Sequence, residues 1–219
     1  MAIRAVIFDR DGVLTEFDID AAQAFLQPRL QMSLIELAQR WVKWSDVIGT
    51  PKSEVEEEDL FRGFWMYVSE LEGLSDGVRQ ELFDFDYVGV IRPFADAHSA
   101  VQYCKELGLK VGVLSNFSLA TLDQSLASSG LARWIDYAAA APVIGYAKPQ
   151  AESYCHVARR LGVSAHECLL LDDDPSYVEG ARSVGMAAYL INRRLLDHDL
   201  ISCVMRDLTA LPAILEGTI

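Results

Sequence analysis

The sequence predicts an α/β fold, a doubly wound parallel sheet that carries a smaller, all-helical insert. Three observations predict it. Short unbroken apolar runs recur along the chain and stop abruptly at polar residues; helical patterns ending in glycine separate them; and one long stretch near the N-terminus has helical periodicity with no buried-strand pattern. Unbroken apolar runs suit parallel strands covered on both faces. The rhythm of helix, glycine and strand is that of βαβ units, whose crossovers are right-handed.

The elements follow in order. Ala5-Val6-Ile7-Phe8 is the first strand and ends at Asp9. Over residues 16–90 the strand pattern vanishes: Phe25, Leu26, Leu30, Leu34, Leu37 and Trp41 recur at helical spacing, as do Leu60, Phe64, Val68 and Leu71. The chain therefore divides into an α/β core of residues 1–15 and 91–219 and a helical domain of residues 16–90, with hinge segments at 16–20 and 89–93. The acidic run Glu54-Val55-Glu56-Glu57-Glu58-Asp59 reads as a solvated helix start, favoured by the positive end of the helix dipole. Trp41, Trp44, Phe61, Phe64 and Trp65 either pack a small bundle or line a substrate pocket.

The core then resumes with a helix over 95–107, a strand over 110–114 that runs into Ser115-Asn116, and a further strand over 135–139. A helix over 151–161 leads to a strand over 168–171, which ends in Asp172-Asp173-Asp174. A helix over 177–184 and a strand over 187–191 complete the pattern. Gly108, Gly162 and Gly185 stand just past the helices, where a left-handed C-terminal cap is expected.

Composition narrows the partners. Among 219 residues, 19 Lys and Arg face 32 Asp and Glu, a formal net charge of −13 that repels nucleic acid and anionic membranes. An anionic small substrate needs a local cation to offset that field. No run of about twenty apolar residues is present. The N-terminal apolar patch is broken by Arg4 and followed at once by Asp9, Arg10 and Asp11, unlike a secretory leader. Cys104, Cys155, Cys168 and Cys203 lack paired spacing, and His98, His156, His166 and His198 lack ligand spacing. Free thiols in a reducing cytoplasm, without zinc, are expected.

In an open parallel sheet, ligands bind beyond the carboxyl ends of the strands. Asp9 and Asp11, Ser115 and Asn116, and Asp172 to Asp174 all follow predicted strands, and Lys148 in Gly145-Tyr146-Ala147-Lys148-Pro149 precedes a helix that leads into one of them. Carboxylates gathered in one place need a cation, and Mg²⁺, a hard ion with oxygen ligands, suits them. Metal, ammonium, hydroxyl and amide together describe a phosphate site. With an ordinary pKa near ~3.9, Asp9 is ionised and needs no base to act as a nucleophile. Asp11, after a turn that Gly12 permits, can donate a proton to the leaving oxygen and later take one from water. Each piece alone has a plainer explanation: a turn or calcium loop, a helix cap, a loop lysine, a helix start. An EF-hand is excluded, because Asp20 stands twelfth from Asp9 where glutamate is required. One shared site accounts for all four pieces together.

Four ordered motifs then resemble the haloacid dehalogenase superfamily of hydrolases, most of them phosphatases. They are Val6-Ile7-Phe8-Asp9-Arg10-Asp11-Gly12-Val13-Leu14, Val113-Leu114-Ser115-Asn116, Gly145-Tyr146-Ala147-Lys148-Pro149 and Leu170-Leu171-Asp172-Asp173-Asp174-Pro175. The stretch from Val178 to Met186 also matches the family's next helix. The resemblance implies a Rossmann-like core with a helical cap. It implies Asp9 as nucleophile and Mg²⁺ ligand, Asp11 as general acid/base with a backbone carbonyl on the metal, and Ser115 and Asn116 on the phosphoryl oxygens. Lys148 would neutralise charge, Asp173 would be the third metal ligand, and Asp172 would touch Lys148 or a metal-bound water. Two positions depart from the family. Arg10 stands where an apolar residue is usual, and points to the cap interface or to a substrate's anionic tail; Tyr177 replaces a common Asp or Asn. The expected activity is Mg²⁺-dependent hydrolysis of a small phosphorylated metabolite through an aspartyl-phosphate. The alternatives are a phosphomutase, a metal-independent haloacid dehalogenase and a non-catalytic phosphate-binding protein.

Overall fold

The computed structural model describes residues 2–49, 51–116 and 119–217. Strand β1 (Ala5–Phe8) buries all of its side chains, and a tight turn leads from it into β2 (Thr15–Phe17). Four helices follow: α1 (Ile19–Leu26), α2 (Leu34–Ile48), α3 (Glu54–Glu72) and α4 (Asp76–Phe83). Their starts are written in the sequence as Asp18, Ser33, Ser53 and Ser75, each of which accepts a backbone N–H of the first turn. Strand β3 (Ile91–Pro93) returns antiparallel to β2, with Thr15 opposite Pro93 and Phe17 opposite Ile91. The segments leading into and out of the helical insert thus run side by side as a ribbon.

The remainder alternates helix and strand: α5 (Ala97–Glu106), β4 (Lys110–Ser115), α6 (Leu119–Ser128), β5 (Tyr137–Ala140), the one-turn α7 (Ala141–Ile144), α8 (Ala151–Leu161), β6 (Cys168–Asp172), α9 (Pro175–Ser183), β7 (Ala187–Ile191), β8 (Val204–Met205) and α10 (Leu211–Glu216). Six strands form one parallel sheet in the order β5-β4-β1-β6-β7-β8. The order reverses direction at β1, and Phe8 lies level with Val113 of β4 and Leu171 of β6. Side-chain alternation splits the core in two. Val6 and Phe8 pack with Val101, Cys104 and Leu211 on one face, whereas Ala5 and Ile7 pack with Tyr154, Val157 and Val178 on the other.

The insert has its own apolar core of Ala22, Leu26, Leu37, Phe64, Trp65, Val68 and Leu82. Phe64 and Trp65 are buried there, so they are bundle residues; Trp41 and Phe61, half-buried, stack on each other with centroids 5.0 Å apart. Trp44 stacks on Tyr67 instead. Within the acidic run, Glu57 departs from a solvated reading, being only 2% exposed.

Element ends differ from the periodicity where caps decide. The helix expected from 177 begins at Pro175, because Asp174 caps it and proline is pre-organised for the first helical position. The strand expected over 135–139 is Tyr137–Ala140, after a 3₁₀ turn over Ala132–Trp134. Strand β8 spans two residues and is too short to leave a periodic signal. All four cysteines are free, and no helix among the described residues is long and apolar enough to cross a membrane.

Candidate active site

The register of the central strands brings the acids together. Asp9 follows β1 and donates its backbone N–H to Leu171 O at 2.9 Å, which places it beside the end of β6 and Asp172. Between them lies the Lys148 ammonium, 2.9 Å from Asp9 Oδ1 and 2.7 Å from Asp172 Oδ2. All three groups are buried. The loop carrying Lys148 is pinned from two sides. The Asn116 side chain accepts from Lys148 N at 2.8 Å and donates to Lys148 O at 2.9 Å. On the other side Pro149, joined to Lys148 by a cis peptide, packs on Gly180, where a Cβ would come within 2.7 Å of the proline ring. Tyr177 sets its ring 4.9 Å from Lys148 Nζ, while its carbonyl accepts from the Tyr154 hydroxyl.

The charges do not balance without a further cation. Burial pushes the Asp9 carboxyl up to about 6; the Lys148 ammonium opposes that rise and the Asp172 charge adds to it. Asp173 is open to solvent at its edge, yet protein crowding, with the Asp9 charge, lifts it to about 6 as well. Burial works against a charged Lys148, but Asp9 and Asp172 outweigh it and hold the ammonium above its ordinary value. One oxygen from each of Asp9, Asp172 and Asp173 lies within 4.8 Å of the others. Gly12 makes this possible: its φ is +77°, and a Cβ there would sit 2.1 Å from Asp173 Oδ2. A hard divalent cation taking carboxylate oxygens fits this donor set.

Comparison with known proteins places the chain in a family. The sequence profile of the haloacid dehalogenase-like hydrolases matches residues 3–185. The chain belongs to that family. It is 38% identical over 218 residues to phosphatase MT3486 of Mycobacterium tuberculosis, covering 99% of each chain. It is 26% identical to hexitol phosphatase B of Escherichia coli K12, over 86% of this chain and 83% of that protein. In fold it is similar to L-2-haloacid dehalogenase from Xanthobacter autotrophicus, with a TM-score of 0.72 at 20% identity over 99% of this chain and 100% of that one.

Within this haloacid dehalogenase-like hydrolase, Asp11 stands apart from the three-acid cluster. Its carboxylate is held by its own neighbour: Arg10 Nε lies 3.1 Å from each oxygen, and Nη2 lies 2.8 Å from Oδ2. Arg10 is fully buried, and its Nη1 donates to Ser125 Oγ of α6 at 3.3 Å. These contacts turn Arg10 towards Asp11 and α6 rather than towards a substrate's tail. Ser115 is buried at the carboxyl end of β4, while Phe117 and Ser118 lie outside the described residues. Asn116 spends its carbonyl and one amide hydrogen on Lys148, so its structural task is to set the lysine. Asp174 is the cap of α9 and bonds Ser176, which holds its carboxyl below the ordinary range.

Sequence reading missed Arg193. Its guanidinium donates to the carbonyls of Gly12 at 3.1 Å and Val13 at 2.6 Å, pairs with Asp96, and stacks 3.5 Å over the Phe94 ring. It fixes the loop behind Asp11. A signal was present, because Arg193 lies just past the carboxyl end of β7, but its neighbour Arg194 makes the pair resemble an ordinary solvated charge run.

Proposed function

We propose that this chain is a Mg²⁺-dependent phosphatase that hydrolyses a small phosphorylated metabolite through an aspartyl-phosphate on Asp9. The observation that carries the reading is the Asp9 carboxylate, bound on one oxygen by Lys148 Nζ at 2.9 Å and set among acids whose charge calls for a divalent cation. The phosphatase names of its relatives support it.

An Asp9 oxygen attacks phosphorus and the bond from phosphorus to the leaving oxygen breaks, with Asp11 giving that oxygen a proton. Water then attacks the same phosphorus, passes a proton to Asp11, and releases inorganic phosphate and the free Asp9 carboxylate. Lys148 orients Asp9 and offsets phosphoryl charge, Ser115 donates to the phosphoryl oxygens, and Asn116 contributes by fixing Lys148 and by its remaining amide hydrogen. Asp9 and Asp173 would hold the metal together with the Asp11 carbonyl, and Asp172 steadies Lys148. When bound, Mg²⁺ supplies the positive charge that lets the phosphoryl group approach these carboxylates. Arg10 keeps the Asp11 carboxylate oriented.

A haloacid dehalogenase attacks carbon and needs no cation, which gives the crowding of Asp173 against Asp9 no purpose. A phosphomutase would return the phosphoryl group to substrate. Purified protein incubated with a panel of phosphomonoesters, with Mg²⁺ or with EDTA, tests the reading. Phosphate release that requires Mg²⁺ is expected; chloride release from a haloacid in EDTA, or isomer interconversion without phosphate release, would replace it.

A further inference from the structure

The helical insert holds a cavity of about 470 Å³, within the usual range of small-molecule sites of roughly 300–1,000 Å³. Phe17, Ile19, Ile35, Trp41, Phe61 and Tyr87 are among its walls; none of its lining residues is charged, and only Tyr87 and the tryptophans carry a polar side-chain atom. Much of this surface is open, with Ile19 61% and Ile35 71% exposed.

Two lining residues connect the cavity to the Asp11 segment. Phe17 ends strand β2, whose first residue, Thr15, is bridged to Asp11 and accepts from Gly12 N at 2.8 Å. The Tyr87 ring lies 5.8 Å from Phe17 and 5.4 Å from Phe61, centroid to centroid. Burial, with the nearby Asp11 charge next, pushes the Tyr87 phenol up to about 12. Phe17 and Tyr87 thus link the cavity to the segment that carries Asp11.

We propose that the alcohol portion of the substrate is apolar, an alkyl or aryl group seated against Phe17, Trp41, Phe61 and Tyr87, and not a polyol. This rests on the phosphatase reading and names the substrate class for the same site. A sugar or hexitol would press several hydroxyls against hydrocarbon with no partners, which costs binding free energy at each one. An apolar group instead removes both its own surface and the exposed isoleucines from water.

The test uses n-alkylphosphonates from methyl to hexyl, which keep the phosphoryl oxygens but carry a carbon–phosphorus bond. Their dissociation constants are measured by calorimetry with Mg²⁺, beside phosphate-release rates for the matching alkyl phosphates and for a hexitol phosphate. Affinity should improve about threefold to fourfold for each added methylene until the cavity fills. The hexitol phosphate should be turned over no better than methyl phosphate. Ile35→Asp, a change at an exposed position expected to fold with unaltered circular dichroism, should flatten the ladder. A flat ladder in the wild type, or preference for the hexitol ester, would overturn the assignment while phosphate release left the catalytic reading standing. A ladder without phosphate release from any ester would uphold the pocket and remove the catalytic reading. A concentration-dependent dimer that Ile35→Asp dissociates, with the ladder unchanged, would give the face to a second copy and overturn the proposal.

Discussion

The sheet core and the helical insert solve opposite problems. At the carboxyl ends of the core strands the fold buries charge: Asp9, Arg10, Lys148 and Asp172 are all under 10% exposed, with Lys148 held between Asp9 and Asp172 and Arg10 paired with Asp11. In the insert the fold leaves apolar surface open, with Ile19, Ile35 and Phe17 facing solvent beside an aromatic cluster. Buried charge is tolerated only in a fixed geometry with satisfied partners, so the core has little freedom to vary. An apolar wall accepts many shapes at similar cost. On the reading proposed above, chemistry belongs to the core and selection to the insert.

The sharpest break in that comparison comes from removing the nucleophile. Asp9→Asn should lower kcat by on the order of 10⁴-fold or more while thermal unfolding shows an intact protein. Retained turnover would move the chemistry elsewhere. Phe64→Ala, in the core of the insert, should do the reverse, costing about 3–5 kcal/mol in urea unfolding through the cavity it leaves, with phosphate release from a minimal ester largely kept.

Lys148→Met should damage both stability and rate, because it strands Asp9 and Asp172 without their shared counter-charge; a loss of about 3–5 kcal/mol is expected for one partner removed from a buried pair. A smaller, more selective effect is expected at Asp11. Asp11→Asn should slow alkyl phosphates by about 10²- to 10⁴-fold and p-nitrophenyl phosphate much less, since only the poor leaving group needs a proton. Arg10→Met should follow the same leaving-group pattern, and the double variant should be little worse than Asp11→Asn alone. Equal slowing of both esters would reduce Arg10 to a packing residue.

The smallest effect is on pH-dependent stability. Asp9 and Asp173 sit near 6 in the folded chain, above the ordinary carboxylate range. Across that interval the folded state binds more protons than the unfolded one, so without added metal stability should fall as pH rises from about 4 to beyond 6. Mg²⁺ should reverse this. The stabilisation it gives, read as a rise in Tm, is expected to be small at pH 5 and larger at pH 7.5, where an ion a hundredfold above its Kd contributes about 2.7 kcal/mol. A gain that shrinks with pH would place the ion away from these carboxylates.

The site was legible because its parts obey a topological rule. Three of the four motifs follow an unbroken apolar run, and parallel strands in register deliver their ends to one edge, while the Lys148 motif precedes the helix that leads into one of them. Order and spacing therefore carried Asp9, Asp172, Asp173 and Lys148 to one place without any knowledge of angles. Arg193 was less visible, since its partners are the carbonyls of Gly12 and Val13, which leave no trace in residue type. The pairing of Arg10 with Asp11 was hidden for another reason: adjacent residues ordinarily point apart, and the orientation depends on tertiary contacts such as that of Arg10 with the buried Ser125 of α6. In the insert, helical spacing gave the apolar face but not how the helices cross, so which of Trp41, Phe61, Phe64 and Trp65 would be fully buried could not be read until packing was known.

The most direct measurement is to stop turnover of a phosphomonoester with acid and reduce the protein with borohydride, which converts an acyl phosphate on aspartate to homoserine. Peptide mass spectrometry should then find homoserine at position 9 alone, in samples quenched with Mg²⁺ present and not in those given EDTA. Rapid phosphate release with Asp9 never modified, or with the mark on another acid, would contradict the account.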